Sequence, residues 1–322
     1  MTILVTGCAG FIGFSITKNL LSKSIKVLGV DNLNDYYSIN LKKERLKELE
    51  KNKNFKFFQK DCSDKKIINF FSKFKKISLI IHFAAEVGIR NSYSKPRIYY
   101  KNNIEAFFNI LEICRQRKSN LIFASSSSVY GESKKKYFRE IDETSKPISF
   151  YAATKKSNEV MAYAYAKNYN ISAIGIRFFN VYGPWGRPDM SIYKFTNLIL
   201  NKKKIPLYGN GKQLRDFTYI DDVVVLINKI IQKYQNKKNI FTVFNSGQGQ
   251  CINISNLIKL ISKKLKTKAH IQKKVKQIGD VSFTNSSSKE IYKILKIKPK
   301  VGLSIGIDQF LKWYNSKGKN IK

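Results

Sequence analysis

Residue types that carry specialised chemistry are scarce in this 322-residue sequence. The four cysteines and two histidines show no CxxC pair and no zinc-ligand spacing, which argues against a zinc finger or a disulfide framework and predicts no metal site. No apolar run approaches the roughly 20 residues that a membrane span needs, and no basic region precedes the apolar N-terminal stretch. We therefore expect a soluble, cytoplasmic protein with reduced thiols.

Acidic residues are also scarce, and this imbalance produces an unusual charge. Asp and Glu number 22 against 60 Lys and Arg, which gives a formal net charge of +38. Such a charge is typical of proteins that bind nucleic acids or anionic membranes. However, only nine of the basic residues are arginine, and the lysines occur in short runs, such as residues 134–136, along the whole chain. We interpret the charge mainly as a solvated lysine-rich surface and predict no specific nucleic-acid partner.

The rest of the composition is that of an ordinary globular protein. Hydrophobic residues make up 43% of the chain, and the length suits about two domains of roughly 150 residues each. Up to about residue 180, short β-rich runs alternate with longer helical patterns. The predicted strands cover residues 2–5, 26–30, 55–58, 79–82, 121–124 and 173–176, and the predicted helices cover residues 11–22, 99–115 and 152–168. This alternation predicts an α/β fold, a Rossmann-type doubly wound parallel sheet that binds ligands beyond the carboxyl ends of its strands.

The pattern changes after Phe178, where a loop rich in Gly, Pro and aromatic residues is followed by scattered short elements. We predict that residues 1–178 form a dinucleotide-binding Rossmann domain and that residues 179–322 form a smaller α/β substrate domain. A helical stretch within about residues 217–235 could pack back onto the first domain, so the two domains are expected to interleave.

Three glycines, Gly7, Gly10 and Gly13, separate the first predicted strand from the first helix. Glycine at such a turn lets backbone N–H groups approach a pyrophosphate at the helix N-terminus. Asp31 closes the second strand, where a carboxylate accepts hydrogen bonds from ribose hydroxyls and repels a 2′-phosphate, so the pattern favours NAD over NADP. Asp61, after the third strand, is either a neighbour of the adenine or a helix cap.

Tyr151 and Lys155 are four residues apart and therefore neighbours on one face of a predicted helix. A tyrosine with a pKa of about 10 acts as a base near neutral pH only if that pKa falls by roughly 3 units, about 4 kcal/mol. A nearby ammonium and a positive nicotinamide favour the phenolate. Residues 125–128 are consecutive serines at the end of a predicted strand, where hydroxyls can hydrogen-bond a sugar and the phenol. The motifs in this order predict a dehydrogenase-type site.

Together these motifs resemble the extended short-chain dehydrogenases/reductases, in the nucleotide-sugar epimerase/dehydratase group, over about residues 2–315. Two narrower segments, residues 31–37 and 177–190, resemble the UDP-glucuronate 4-epimerases. The resemblance implies NAD-dependent 4-epimerisation of UDP-glucuronate to UDP-galacturonate through a transient 4-keto sugar. It also implies a UDP-sugar substrate and a homodimer formed through the helices predicted at residues 99–115 and 152–168.

The resemblance assigns roles to individual residues. Tyr151 is implied to be the general base, Lys155 to tune it and hold the nicotinamide ribose, and Ser126 to be the catalytic hydroxyl. The residues that it assigns to NAD, besides Tyr151 and Lys155, are Gly7, Gly10, Phe11, Ile12, Gly13, Asp31, Asn32, Asp61, Cys62, Phe83, Ala84, Ala85 and Asn103. The residues that it assigns to the substrate are Arg90, Ser127, Ser128, Asn180, Arg187, Arg215 and Asp280.

The distribution of arginine supports part of this assignment independently. In a chain that mostly uses lysine, Arg90, Arg177, Arg187 and Arg215 all fall within the motif segments. The guanidinium offers a planar fork for carboxylate or phosphate that lysine cannot copy. We expect Arg187 near the substrate carboxylate and Arg215 on the diphosphate, with ordinary ion pairs as the alternative.

Other functions stay open on the sequence. UDP-glucose 4-epimerase is favoured by Asn180, which stands where threonine is common in the uronate enzymes, and disfavoured by the segment at residues 183–190. Glu86 also departs from the uronate enzymes, in which glutamine is common. A UDP-glucuronate decarboxylase shares the 4-keto chemistry, whereas a 4,6-dehydratase would show Thr-Asp-Glu in place of the serines at residues 126–128. A polyanion-binding protein on the same scaffold is the alternative from a different class.

Overall fold

The central sheet of the structure has seven parallel strands among the residues described by this computed structural model, 1–74, 76–275, 283–287 and 289–321. In spatial order the strands are β10-β6-β5-β4-β1-β2-β3. Their bounds are β1 Thr2–Thr6, β2 Lys26–Asp31, β3 Phe55–Gln59, β4 Leu79–His82, β5 Asn120–Ser126, β6 Ala173–Phe178 and β10 Phe241–Ser246. The strand order reverses between β1 and β4, and at this point doubly wound sheets bind their ligands. The predicted Rossmann-type fold is confirmed.

Helices cover both faces of the sheet. Their bounds are α1 Phe11–Ser22, α2 Ile39–Glu50, α3 Lys66–Ser72, α4 Asn91–Ser94, α5 Pro96–Tyr99, α6 Ala106–Arg117, α7 Phe150–Asn168, α8 Ser191–Leu200, α9 Ile220–Tyr234, α10 Ile254–Leu265, α11 Lys289–Leu295 and α12 Leu303–Ser316. The helix predicted near residues 99–115 is divided, because a π-helical turn at Tyr100–Glu105 lies between α5 and α6. No helix within the described ranges is long and apolar enough to cross a membrane.

The strands are apolar on both faces because both faces are covered. Along β1, Ile3 and Val5 belong to one hydrophobic cluster, whereas Leu4 between them belongs to another. The first cluster lies beneath α1 and α9, and the second lies beneath α3, α6 and α7. The period of two along each strand therefore places successive side chains in two separate cores.

The chain after residue 178 contributes both to the central sheet and to two small sheets. Strand β10 pairs with β6 as the last strand of the central sheet, and α9 packs against α1. The small sheets contain β7 Asn180–Tyr182, β8 Lys204–Tyr208, β9 Leu214–Tyr219, β11 Cys251–Asn253 and β12 His270–Lys274. One has the order β11-β9-β7 and the other pairs β12 with β8. Strands β7, β8 and β9 of these small sheets contribute residues to the wall of a cavity at the carboxyl ends of the central strands.

Candidate active site

A cavity of about 1020 Å³ opens at the carboxyl ends of the central strands, next to the glycine turn. Gly7 has a φ of +72°, and a Cβ on Gly13 would lie 2.0 Å from the Gly7 carbonyl oxygen, so the turn excludes side chains at both positions. A Cβ on Gly7 would also lie 2.6 Å from the backbone nitrogen of Ala84, after β4. Gly10 precedes α1 without a side-chain cap. The helix N-terminus therefore faces the cavity and suits a diphosphate.

The Asp31 carboxylate lies beside this turn at the end of β2. It accepts hydrogen bonds from the backbone nitrogens of Ala9 at 3.1 Å and Leu33 at 2.9 Å. Burial raises its pKa, and these two bonds together with the Lys42 ammonium lower it. Its position suits the ribose hydroxyls of NAD and disfavours the 2′-phosphate of NADP.

Asp61 does not cap α3, since Lys65 precedes that helix without a side-chain cap, and the proximity of Asp61 to the adenine stays a prediction. It lines the cavity, and its carboxylate accepts hydrogen bonds from the backbone nitrogen of Ser63 at 2.8 Å and from the Ser63 hydroxyl at 2.7 Å. The aspartate therefore shapes the turn after β3 while it faces the space next to Asp31.

Tyr151 and Lys155 lie in the first turns of α7, at the wall of the same cavity. Ser149 caps this helix, because its hydroxyl accepts from the backbone nitrogen of Ala152 at 3.1 Å. Ser126, at the end of β5, interacts with the Tyr151 phenol and accepts a hydrogen bond from the Ser128 hydroxyl at 2.8 Å. The three groups that were predicted to be catalytic therefore come together although they lie on two elements.

The protein alone does not favour the phenolate of Tyr151. Burial raises its pKa, while the Ser126 hydroxyl and the Arg187 guanidinium lower it. Burial also lowers the pKa of Lys155 to about 8, which still leaves this side chain charged at pH 7. A further positive charge near the phenol, such as an oxidised nicotinamide, would move the balance toward the phenolate.

The cost of burying Lys155 gives a prediction on stability. Its pKa is about 8 in the folded protein and near 10.5 without burial, so the unfolded chain binds more protons between these values and stability rises with pH there. At pH 7 we expect Lys155→Met to stabilise the cofactor-free protein by roughly 3 kcal/mol. This gain should shrink as the pH approaches 10. Urea unfolding at pH 7 and 9.5 measures both effects.

The neighbouring variant Lys156→Met is the matched control for this measurement. Lys156 is half-buried and lies 3.6 Å from Glu159, so its loss should not stabilise the protein. A Lys155→Met protein that is less stable than the wild type at pH 7 would contradict the prediction.

The predicted substrate residues within the described part of the chain all line this cavity. They are Arg90, Ser127, Ser128, Asn180, Arg187 and Arg215. Arg187 is already paired, because its Nε lies 3.0 Å from Asp189 Oδ1 and its Nη2 lies 2.5 Å from Asp189 Oδ2. Arg90 packs over the Tyr208 ring at 5.0 Å. Asp280 lies outside the described residues.

The predicted cofactor residues also line the cavity, with the exception of Asn103. Asn103 is buried in the π-helical turn, where its amide oxygen accepts from the backbone nitrogen of Glu86 and its amide nitrogen donates to the Glu86 carbonyl and the Thr154 hydroxyl. These bonds use both N–H groups of the Asn103 amide and turn the side chain toward α7, whereas Asn102 lines the cavity. Asn103 ties the loop after β4 to the residue next to Lys155.

Arg45 is a residue of this site that the sequence argument missed. It is fully buried in α2, and its Nη1 donates to the Ala9 carbonyl at 2.8 Å and to the Tyr37 hydroxyl at 2.7 Å, while its Nη2 donates to the Trp185 carbonyl. Arg45 thereby connects the glycine turn to the segments at residues 31–37 and 177–190. The rarity of arginine could have drawn attention to it, but no motif surrounds it.

Arg177 has a structural role. It forms a buried ion pair with Glu159, with bonds of 2.8 and 2.9 Å, and Glu159 also accepts from the Ser125 hydroxyl at 2.6 Å. This network holds the end of β5 against α7 and so sets the distance between the serines and Tyr151.

The histidine and cysteines contribute no visible chemistry. His82 contacts the Thr6 hydroxyl at 2.7 Å, and burial lowers its pKa to about 3, so it is neutral. Cys8, Cys62 and Cys114 are buried free thiols. Over the described ranges, no group of three His, Cys, Asp or Glu side chains could hold a metal ion.

This arrangement agrees with what the sequence matches among known proteins. Residues 3–247 match the model of the NAD dependent epimerase/dehydratase family. The chain belongs to this family. The match includes the glycine turn, the serines at residues 125–128 and the pair Tyr151 and Lys155, all of which line the cavity.

Individual relatives match over nearly the whole chain. Protein CapI of Staphylococcus aureus is 38% identical, with 98% of each chain covered. A probable UDP-glucuronate 4-epimerase of Rhizobium meliloti is 35% identical over 98% of this chain and 97% of the relative. The structure of UDP-glucuronic acid 4-epimerase from Bacillus cereus, in complex with UDP-glucuronic acid and NAD, is 32% identical and has a TM-score of 0.91 over 98% of this chain and 99% of that chain.

Proposed function

We propose that this epimerase/dehydratase family member catalyses the NAD-dependent 4-epimerisation of UDP-glucuronate to UDP-galacturonate. The observation that carries the proposal is the convergence of Ser126, Tyr151 and Lys155 with the glycine turn and Arg187 in one cavity. The names of the relatives from Rhizobium meliloti and Bacillus cereus support the uronate as substrate.

The residues present fit NAD. The glycine cradle admits no Cβ at Gly7 or Gly13, and the uncapped start of α1 offers amides for a diphosphate. The Asp31 carboxylate offers acceptors for the ribose. When bound, NAD supplies a reversible hydride acceptor for C4 of the sugar. With NAD held there, the sugar would regain the hydride that it gave, so the overall reaction would be redox-neutral.

The chain itself moves the proton. The phenolate oxygen of Tyr151 takes the proton of the sugar 4-hydroxyl, and the Lys155 ammonium stabilises that phenolate. The hydroxyls of Ser126 and Ser128 are hydrogen-bonded to each other. They can hydrogen-bond the 4-oxygen in either orientation of the 4-keto sugar as it turns in the cavity. Tyr151 returns the proton after reduction on the opposite face.

The sugar carboxylate needs its own contacts, because a 4-keto uronic acid is a β-keto acid that can lose CO₂. Ser127, Ser128 and the Arg187 guanidinium line the cavity and are the groups we assign to it. Hydrogen bonds and a cation at the carboxylate keep its charge localised there and disfavour decarboxylation.

UDP-glucose 4-epimerisation is the second candidate, and one observation favours it. Asp189 already neutralises Arg187, which leaves less positive charge for a uronate than an unpaired arginine would. A neutral hexose would leave this ion pair undisturbed. UDP-glucuronate and UDP-glucose therefore both need to be tested as substrates.

The deciding experiment is to incubate the purified protein separately with UDP-glucuronate and with UDP-glucose, without added NAD, and identify the products by proton NMR. Formation of UDP-galacturonate is the expected result and implies a retained cofactor. UDP-xylose or a 4-keto pentose would instead identify a decarboxylase. Turnover of UDP-glucose alone would identify the neutral-sugar epimerase. No turnover of either sugar, with NAD detected in the protein, would contradict the proposal.

We also propose a division of labour within the chain and a homodimer. Residues 1–178, with about 217–235, would hold the cofactor, and residues 179–322 would bind most of the nucleotide sugar. The dimer would form through α6 and α7, which pack together and leave Phe108, Val160 and Tyr163 about half exposed. Such apolar exposure on adjacent helices supports an interface.

Phe108→Asp tests the dimer. Placing a carboxylate in a desolvated apolar contact should convert the dimer to a monomer, because the charge has no partner there. Light scattering after size exclusion measures the mass. Val225→Asp, at a position of α9 with a similar exposed fraction, should leave the dimer intact. A wild-type monomer, or a dimeric Phe108→Asp protein, would contradict the proposal.

A further inference from the structure

Asp216 is a fully buried carboxylate that joins three chain segments near the Arg215 end of the cavity. It lies in β9, and its Oδ1 accepts from the backbone nitrogen of Gln248 at 2.9 Å. Its Oδ2 accepts from the backbone nitrogens of Gly249 at 2.9 Å and Ser286 at 3.0 Å. One side chain therefore connects a strand, the loop after β10 and the segment at 283–287.

These segments form part of the cavity wall. Arg215, which precedes Asp216, and Thr284, two residues before Ser286, both line the cavity. Thr284 is also bonded through its backbone nitrogen to the Leu214 carbonyl at 3.1 Å. A shift of the 283–287 segment relative to β9 would therefore move Thr284 relative to the Arg215 guanidinium.

The carboxylate holds this junction with little help from neighbouring side chains. The side-chain oxygens Thr284 Oγ1, Ser286 Oγ and Gln248 Oε1 are buried, and among the described residues none has a hydrogen-bond partner. Burying a carboxylate is costly, as shown by the pKa of Asp216, which burial raises to about 6 although the three amides lower it. A buried carboxylate adds little to the free energy of unfolding, so we interpret Asp216 as a group that fixes the relative positions of the three segments.

The segments also approach too closely for any larger residue at Gly247. A Cβ there would lie 2.2 Å from the Ser286 Cβ and 2.8 Å from Asp216 Oδ2. The absence of a side chain at Gly247 is what allows the Ser286 amide to reach the carboxylate.

We propose that Asp216 is a positioning residue for nucleotide-diphosphate binding, which acts by fixing the 283–287 segment against β9 so that Thr284 and Arg215 face the ligand together. The inference rests on the proposed function only in taking a UDP-sugar as the ligand. It does not depend on which sugar is turned over or on whether Asp216 itself touches the ligand.

Asp216→Asn is the direct test, with UDP as the probe in calorimetry. An amide side chain presents an N–H₂ group to backbone N–H donors, so at least one of the three bonds is lost. We expect UDP affinity to fall by about tenfold or more, the change expected for one lost bond to a charged group. In turnover, the KM for UDP-glucuronate should rise similarly while kcat changes little and bound NAD is retained.

Asp222→Asn is the matched control. Asp222 also accepts two backbone bonds, from Lys300 at 2.9 Å and Val301 at 3.0 Å, but it holds the C-terminal segment and does not line the large cavity. It should lower thermal stability without changing UDP affinity. An equal loss of UDP affinity in both variants would overturn the proposal, because it would indicate a general effect of stability.

Gly247→Ala keeps the experiment decisive if Asp216→Asn does not fold. It leaves the carboxylate in place and pushes the Ser286 segment away from it, so the same loss of UDP affinity with unchanged kcat is expected. Unchanged UDP affinity in a folded Asp216→Asn or Gly247→Ala protein would overturn the proposal. UDP binding is measured without turnover, so a failure of the epimerase assignment would leave this test intact.

Discussion

Replacing Tyr151 with phenylalanine is expected to lower turnover of UDP-glucuronate by roughly 10²–10⁴-fold, the range typical of a lost general base. The variant removes one oxygen and nothing else, so the cavity keeps its shape. Ser126, which interacts with the phenol, has its own partner in Ser128 and cannot replace a group that must ionise. Initial rates from proton NMR of the products measure the effect.

The same variant should still bind its ligands. UDP affinity and NAD content should match those of the wild type, because the proposed role of Tyr151 is at the reacting carbon of the sugar and not at the diphosphate or the adenosine. Tyr163→Phe, three turns later on α7 and half exposed, is the control that should retain full activity. If Tyr151→Phe kept a substantial share of wild-type turnover, the proton-transfer scheme would be wrong.

Replacing Arg45 with leucine is expected to destabilise the protein by roughly 2–4 kcal/mol. The substitution leaves the buried carbonyls of Ala9 and Trp185 without their donor and removes a partner of the half-buried Tyr37 hydroxyl. Each buried loss costs about 1–3 kcal/mol, partly offset by no longer burying a cation. Urea unfolding measures the change in the free energy of unfolding, provided that the wild type and the variant show the same m-value.

The Arg45 variant should also weaken ligand retention. Ala9 belongs to the glycine turn, and Trp185 belongs to the segment that carries Arg187. Without the Arg45 hydrogen bonds to both carbonyls, these two parts of the cavity lining should shift relative to each other. We expect partial loss of NAD during purification, measured by absorbance after denaturation. Arg115→Leu, at an exposed ion pair with Glu112, should change neither property. Unaltered stability and NAD content in Arg45→Leu would show that the tie is dispensable.

The local pattern of the sequence was sufficient for most of the fold. The continuous apolar run in β1 is typical of a strand that is buried on both faces. In the structure Ile3 and Val5 pack into one hydrophobic cluster and Leu4 into the other. The pattern was insufficient for β10. Phe241–Ser246 is short, and its place beside β6 depends on pairing across the 62 residues from 179 to 240, which no local period reveals.

Neither the π-helical turn nor the orientation of Asn103 could be read from local periodicity. A helical period continues through residues 99–115, and the interruption at Tyr100–Glu105 shows only in the backbone. A π-helical turn closes i→i+5 bonds and so changes which side chains share a face relative to a continuous α-helix. In this turn Asn103 bonds to Glu86 and Thr154, whereas Asn102 faces the cavity.

The sequence by itself determined the chemistry of this protein: the glycine turn, the strand-end serines, Tyr151 and Lys155 are short motifs whose function depends on residues a few positions apart. Tertiary structure alone decided which distant groups support them. The contacts of Arg45 with Ala9 and Trp185, and of Asp216 with Gln248 and Ser286, each join segments that are separated by about 30 to 140 residues. The physical reason is that a buried polar group must find partners in space, wherever the fold brings them.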